Sequence, residues 1–156
     1  MDLKQLYQDI ILEHGKSPRN FGKCEKYTHH AKGHNPLCGD QVQVYLKLNK
    51  EKKVENLTFE GSGCAISIAS TSIMTELVKG KTVEISKKII IDFLNMIKNT
   101  SEIKSNNLDE DQKTKIMSLS GVKQYPMRVK CATLAWHTLT SAIDGKKEEI
   151  NTENID

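Results

Sequence analysis

Three cysteines stand where a thiolate could bind a metal or act as a nucleophile. Cys38 is followed by Gly39, Cys64 is preceded by Gly63, and Cys131 lies in a strongly patterned helical stretch. Glycine permits unusual backbone dihedral angles, and turns and helix starts are common positions for reactive or metal-binding sulfur. The chemistry that these residues favour is therefore soft-metal binding or sulfur reactivity.

Asp40 adds a carboxylate two residues after Cys38. With Cys64 and Cys131 it completes a set of three sulfurs and one oxygen, which suits tetrahedral Zn2+. The cysteines are 26 and 67 positions apart, however, which is not the C-x2-C spacing of zinc fingers. Spacing alone leaves two interpretations open: a shared metal site, or three buried or incidental cysteines.

The remaining thiol and the clustered histidines are weaker candidates. Cys24 lies in a polar loop, and we interpret it as an incidental thiol. His29, His30 and His34 could resemble a metal cluster, but no cysteine pair accompanies them. We expect solvated strand residues at these three positions.

Composition limits the classes of protein to which the chain can belong. The chain has 156 residues, of which 37% are hydrophobic and 28% are charged. We therefore expect a single domain over 1–156 with its own core. No apolar run approaches the ~20 residues needed to span a membrane, and the first residues do not resemble an export signal. We expect a cytoplasmic protein with free thiols. The charge of +3 comes mostly from scattered lysines, which argues against a nucleic-acid partner.

Hydrophobic periodicity predicts strands first and helices afterwards. An amphipathic helix begins at Leu3, faces a core and ends near Gly15 and Pro18. Strands are expected over 42–48 and 57–59, with a third, edge strand over 27–34. Helices are expected over 65–79, 86–98 and 109–118, followed by a last one carrying Val129 to Ile143. A loop over 100–108 and a frayed tail over 145–156 complete the prediction.

This order of elements predicts an α+β fold. We expect a three-stranded antiparallel sheet with an N-terminal helix and several C-terminal helices packed on it.

Three ordered motifs resemble the IscU-like iron–sulfur assembly proteins. They are NPLCGD at 35–40, GSGCAIS at 61–67 and YPMRVKCATLAW at 125–136. The chain is most similar to the SufU-type branch. IscU-type scaffolds carry a histidine directly before the third cysteine, where this chain has Lys130. The SufU type also has about twenty extra residues before that cysteine, which Ser101 to Ser120 would supply.

The resemblance implies a function as well as an IscU-like fold. It implies a zinc-dependent sulfurtransferase that takes persulfide sulfur from a pyridoxal-phosphate-dependent cysteine desulfurase and passes it to a downstream acceptor or assembly complex. The implied zinc ligands are Cys38, Asp40, Cys64 and Cys131. Cys38 would accept the sulfur, and Arg128 matches the family's functional arginine near the partner-facing site.

An alternative is an IscU-type scaffold on which a [2Fe-2S] cluster is assembled, because three cysteines and an aspartate could also hold such a cluster. Lys130 and the inserted segment argue against the scaffold. Asp40 could instead form a simple turn, and Arg128 could form a surface ion pair. Lys130 is expected either to support Cys131 as an anionic ligand or to contact the partner.

Overall fold

A computed structural model describes residues 2–98 and 106–155. Its helices and strands follow the order expected for an α+β protein. The helices are α1 (Leu3–Lys16), α2 (Ala65–Val78), α3 (Val83–Lys98), α4 (Glu110–Met117) and α5 (Pro126–Ile143), with 3-10 turns at Ser118–Gln124 and Thr152–Asn154. The strands are β1 (His29–Asn35), β2 (Asp40–Leu48), β3 (Val54–Ser62) and β4 (Ile150–Asn151).

The sheet differs from the prediction in its number of strands. It has four strands in the order β3-β2-β1-β4, and β4 pairs in parallel with β1. The prediction of three antiparallel strands is therefore wrong, and β1 is an interior strand rather than an edge. The short strand β4 lies within the tail over 145–156, and it was missed because two residues are too short to show an alternating pattern.

Local sequence signals define where the helices begin. The Asp2 side chain caps α1 by accepting a hydrogen bond from the Gln5 N–H at 2.8 Å. Asp109 and Gln112 form a reciprocal capping box at α4. Pro126 starts α5, where its missing N–H removes no helical hydrogen bond.

The core lies between one face of the sheet and helices α2, α3 and α5. Trp136 is fully buried and stacks on Phe93, with ring centroids 4.0 Å apart. Gly33 of β1 faces α5 so closely that a Cβ there would overlap the Thr138 hydroxyl. Because β1 has no side chain at Gly33, α5 can lie directly against the strand, and this close approach positions the residues at its N-terminal end.

Two other expectations need adjustment. The first half of α1 does not face the core as predicted, since Leu3 is 59% exposed and Leu6 is 36% exposed. Residues 100–105 of the predicted loop over 100–108, and with them the start of the inserted segment from Ser101 to Ser120, lie outside the described part of the chain. The rest of the insert contains α4 and the start of the following 3-10 turn. Among the described helices, none is long and apolar enough to cross a bilayer.

Candidate metal centre

The turn between β1 and β2 places the first two candidate ligands. Asn35 and Asp40 are the last paired residues of these antiparallel strands, and the turn is closed by the Gly39 N–H donating to the Asn35 carbonyl at 2.8 Å. Gly39 has a φ of +73°, which a residue with a side chain rarely adopts. Cys38 therefore lies near the tip of a tight turn and is partly exposed.

Asp40 is fully buried, and both of its carboxylate oxygens accept hydrogen bonds. Oδ1 accepts from the Cys64 N–H at 2.9 Å, and Oδ2 accepts from Asn35 Nδ2 at 3.3 Å. A Cβ at Gly63, whose φ is +148°, would overlap Asp40 Oδ1. The turn before α2 can therefore approach the carboxylate only because residue 63 is glycine, and Asp40 is not a simple exposed turn former.

Cys64 occupies the N-cap of α2. Its sulfur accepts a hydrogen bond from the Ser67 N–H at 3.4 Å, in the manner of a capping side chain. Cys64 is partly exposed. The glycine-rich turn thus brings the Cys64 thiol to the start of a helix and its backbone N–H to the carboxylate of Asp40.

Cys131 lies in the second turn of α5 and is 1% exposed. Burial raises the pKa of its thiol, and the neighbouring Asp40 and Cys38 act in the same direction. Asn35 Nδ2 lies 3.6 Å from the Cys131 sulfur and donates to it. A thiolate here therefore requires a compensating positive charge.

The fold brings three of the four predicted ligands into one group. The sulfurs of Cys38 and Cys131 and a carboxylate oxygen of Asp40 all lie within 4.8 Å of one another. Within residues 2–98 and 106–155 this is the one such group found. The sulfur of Cys64 is outside it, although its backbone N–H is bonded to Asp40.

The chemistry of this group fits a soft divalent cation. A carboxylate at Asp40 and a thiolate at Cys131 would both be buried anions, and a buried anion is costly unless a cation or several donors accompany it. Sulfur and carboxylate oxygen are ligands that Zn2+ accepts. The donor types of this candidate group therefore suit zinc, and thiolates of this kind also suit an iron–sulfur cluster.

Arg128 is exposed, one turn of α5 before Cys131. The sulfur of Cys64, followed by that of Cys131, raises the pKa of its guanidinium. Arg128 therefore lies close enough to both cysteines for their charges to act on its guanidinium.

Lys130 and the histidines have other partners. Lys130 Nζ lies 2.8 Å from a carboxylate oxygen of Glu153, so the expectation that it supports Cys131 directly does not match its contact. His34 faces Glu149 at 3.1 Å, and His30 faces Gln43 at 3.0 Å. Cys24 is buried, away from the centre, and accepts from Asn56.

Sequence reasoning missed two residues around the centre. Asn35, quoted only as part of a motif, contacts Asp40 and Cys131, and Thr152 donates to Asn35. The pairing of Asn35 with Asp40 follows from a four-residue turn, so the length of that turn could have indicated it. No local signal could have indicated Thr152, which lies 117 positions from Asn35 in the chain.

A groove borders the centre on the side of Arg128. Its volume is about 1190 Å3, and it is lined by the first half of α1, the 3-10 turn at Ser118–Gln124 and the start of α5. Tyr125 and Met127 are exposed there, at 60% and 55%. The exposed apolar side chains of α1 thus face an open surface next to the cysteines.

Comparison with known proteins assigns this arrangement to a family. The model of the NifU-like N-terminal domain matches residues 6–148, which is most of the chain. The chain belongs to the NifU-like N-terminal domain family. Its family resemblance, inferred from three motifs, is thereby confirmed.

Relatives within the NifU-like family carry two kinds of name. The zinc-dependent sulfurtransferase SufU of Bacillus subtilis is 37% identical over 148 residues, covering 95% of each chain. The iron–sulfur cluster assembly scaffold protein IscU of Streptococcus pyogenes is 33% identical, covering 98% of this chain and 90% of the relative. The chain is therefore similar both to a SufU-type and to IscU-type iron–sulfur assembly proteins.

A solved structure supports the same fold. A protein from Fervidobacterium islandicum AW-1, described as an iron–sulfur cluster assembly scaffold for the SUF system, matches with a TM-score of 0.75 and 35% identity. The match covers 89% of this chain and 97% of the other. The four-stranded α+β architecture is thus that of the NifU-like family.

Proposed function

We propose that this protein is a zinc-dependent sulfur acceptor that takes persulfide sulfur from a cysteine desulfurase for iron–sulfur cluster assembly. The observation that carries the proposal is the convergence of Cys38 with Asp40 and Cys131, with Cys38 near the tip of a turn. Two members of this group are buried and bonded to the fold, and the third reaches solvent. An accessible thiol at Cys38, next to the buried ligand pair Asp40 and Cys131, suits transfer of a sulfur atom.

The proposed zinc ligands are Cys38, Asp40, Cys64 and Cys131. When bound, zinc would supply the positive charge that keeps these thiols ionised at neutral pH. The protein supplies the geometry: Gly63 admits the α2 turn next to Asp40, and close packing of α5 on β1 brings Cys131 over the same point. A reducing compartment such as the cytoplasm keeps the four thiols available.

The proposed reaction moves one sulfur atom without net oxidation. The Cys38 thiolate attacks the terminal sulfur of a persulfide on the desulfurase cysteine, and a new S–S bond forms at Cys38 Sγ. The original S–S bond breaks, and its electron pair leaves on the desulfurase cysteine as a thiolate. The product is a Cys38 persulfide, whose outer sulfur a downstream acceptor or an assembly complex removes.

Arg128 has a supporting role in this proposal. Its guanidinium faces Cys64 and Cys131 at the exposed end of the centre, where an incoming anionic persulfide would arrive. The apolar groove beside it offers contact area for the pyridoxal-phosphate-dependent desulfurase. The name of the Bacillus subtilis relative, a zinc-dependent sulfurtransferase, supports the same function.

Cysteine-dependent sulfide release by a cognate desulfurase tests the proposal. We expect the wild-type protein to stimulate release, and the Cys38→Ala variant to lose that stimulation because the acceptor sulfur is gone. Cys24→Ala is the matched control, since Cys24 lies outside the centre. Full stimulation by Cys38→Ala would refute the assignment of Cys38.

The second candidate is a scaffold for a [2Fe-2S] cluster, which the IscU relatives favour. Metal analysis of anaerobically purified protein separates the two functions. About one tightly held zinc per chain supports sulfur transfer, whereas labile iron with acid-labile sulfide supports the scaffold. A purely structural zinc site is a third outcome, in which Cys38→Ala loses zinc or folding without a specific kinetic defect.

A further inference from the structure

The geometry points to Asn35 and Thr152 as positioning residues of the metal centre. This inference rests on the proposed metal site and adds two residues outside its ligand set. Together they link the segment after α5 to the ligands Asp40 and Cys131.

The Asn35 side chain connects two of the proposed ligands. It is fully buried, and its Nδ2 donates to Asp40 Oδ2 at 3.3 Å and to Cys131 Sγ at 3.6 Å. An amide nitrogen carries two N–H donors, and both are used here. The Asp40 oxygen and the Cys131 sulfur both accept from this nitrogen, so the nitrogen of the amide faces them and the amide oxygen faces away.

Thr152 fixes that orientation from the opposite side. Its hydroxyl donates to Asn35 Oδ1 at 3.0 Å, and the residue is 2% exposed. Without this donor the buried amide oxygen would lose its hydrogen bond, which is unfavourable. The Thr152 hydroxyl thus stabilises the amide orientation in which Asn35 Nδ2 faces both Asp40 and Cys131.

Two contacts hold Thr152 in place. On one side, β4 pairs with Gly33 and His34 of β1, directly before Asn35. On the other side, Glu153 forms an ion pair with Lys130, directly before Cys131. The segment from β4 to Glu153 therefore bridges the strand that carries Asn35 and the helix that carries Cys131.

The consequence is an unequal ligand set. Outer partners of metal ligands orient them and adjust metal affinity. Both N–H groups of the Asn35 amide donate to Asp40 and Cys131, so neither is available to Cys38. One amide nitrogen thus joins Asp40 and Cys131, while Cys38, near the tip of the turn, accepts no hydrogen bond from it.

Thr152→Val tests the inference, because valine keeps the shape of threonine and removes its donor. We expect zinc affinity, measured by competition with a chromophoric chelator, to fall about 10-fold. Thr152→Ser keeps the hydroxyl and should retain the wild-type affinity. Glu153→Gln removes the neighbouring ion pair but not the hydroxyl, so it is the control for loosening of the segment.

The absorption spectrum of the Co2+-substituted protein is an independent measurement. It should change in Thr152→Val and match the wild-type spectrum in Thr152→Ser.

A second measurement needs no metal. In the zinc-free protein, NMR should show slow solvent exchange for the Asn35 side-chain amide, and Thr152→Val should accelerate it. Asn35→Asp, which replaces the donor by a second carboxylate next to Asp40, should weaken zinc binding further than Thr152→Val. Thermal unfolding of each zinc-free variant shows whether it is folded.

The outcomes separate the two proposals. If wild-type protein and Thr152→Val bind zinc equally tightly and give the same Co2+ spectrum, the positioning role is wrong and the proposed function stands. If the wild type binds no zinc, the proposed function fails, and unchanged amide exchange in Thr152→Val would then overturn the positioning role as well. If Thr152→Val and Glu153→Gln weaken zinc binding equally, the effect comes from loosening of the segment and not from loss of the Thr152 hydroxyl, and the positioning role is wrong.

Discussion

Gly63 determines how closely the α2 turn approaches Asp40. It combines a φ of +148° with a position at which any side chain would overlap Asp40 Oδ1. The bond from the Cys64 N–H to the same oxygen depends on this approach. A single residue without chemistry of its own thus holds a proposed ligand in place.

Gly63→Ala should therefore damage the centre. We expect a loss of about 1–3 kcal/mol in the free energy of unfolding, because the added Cβ strains the backbone and displaces Asp40. Zinc affinity should fall in the same variant. Urea unfolding and chelator competition measure the two effects. Gly121→Ala is the matched control, since nothing lies within 4 Å of a Cβ there; equal effects at both glycines would contradict the explanation.

At the scale of residues, sequence motifs identified the polypeptide segments that meet at the centre. Three motifs carried Cys38, Asp40, Cys64 and Cys131, and the fold brings three of these side chains within 4.8 Å of one another. The orientation of the Cys64 sulfur could not be predicted, because it depends on competition between the α2 N-terminus and the other ligands. Their assignment as zinc ligands stays a prediction.

At the scale of elements, the contact of β1 with α5 controls where Cys131 lies. Gly33 faces Thr138, and two residues further along the same face of β1 Asn35 meets Cys131, two helical turns before Thr138. The distance between β1 and α5 at Gly33 therefore determines how closely Asn35 and Cys131 approach each other at the centre.

Gly33→Ala should be destabilising by about 1–3 kcal/mol through overpacking. Thr138→Ala removes the hydroxyl that the new Cβ would meet, so Gly33→Ala combined with Thr138→Ala should regain part of the loss. Urea unfolding of the wild type, both single variants and the double variant measures the coupling. Strictly additive losses would show that the two residues are not in tight contact.

The elements themselves were largely predictable. Helices with regular 3.6-residue periodicity, such as α3 and α5, were found close to their observed bounds. β4 was missed because its position depends on pairing with Gly33 and His34, far away in the chain. The prediction that all of α1 faces the core was wrong for its first half, because an apolar stripe on a helix does not identify the surface that covers it.

At the scale of the whole molecule, a buried histidine makes stability depend on pH. His14 of α1 is 2% exposed; its Nδ1 lies 2.7 Å from Ser72 Oγ and its Nε2 lies 3.4 Å from Glu76. Burial lowers its pKa, and the charge of Arg19 acts in the same direction, while Glu76 opposes them. Glu76 is itself paired with Lys115 at 3.3 Å.

We expect the free energy of unfolding to decrease as pH falls below about 6.5, the usual histidine pKa. In that range the unfolded chain binds the proton that folded His14 resists, so stability is present above pH 6.5 and is lost toward the lowered pKa of the folded state. Urea unfolding at pH 7.5, 6.5 and 5.5 measures the change.

The His14→Gln variant provides the control. Its stability should depend less on pH than that of the wild type, by at most about 1.4 kcal/mol per pH unit for one proton. His137, whose pKa burial also lowers, would account for part of the remaining slope. An identical pH profile in wild type and His14→Gln would rule out His14 as a source.

Metal binding should stabilise the entire fold, because the proposed ligands come from three separate segments. At a free zinc concentration 100 times the dissociation constant, binding adds about 2.7 kcal/mol. Thermal unfolding with zinc and with a chelator measures this difference, and Mg2+ at the same concentration is the control. A Tm that is unchanged by zinc would argue against a site shared by distant segments.

The bond between Thr152 and Asn35 also affects the order in which the centre can be completed during synthesis. Its two residues are 117 positions apart, so Asn35, Asp40 and all four cysteines leave the ribosome before Thr152 does. Contacts of such long sequence separation form late in folding. The segment that carries Thr152, made after all the proposed ligands, thus completes the hydrogen bonding of the centre, and a nascent chain that stops after α5 would lack that support.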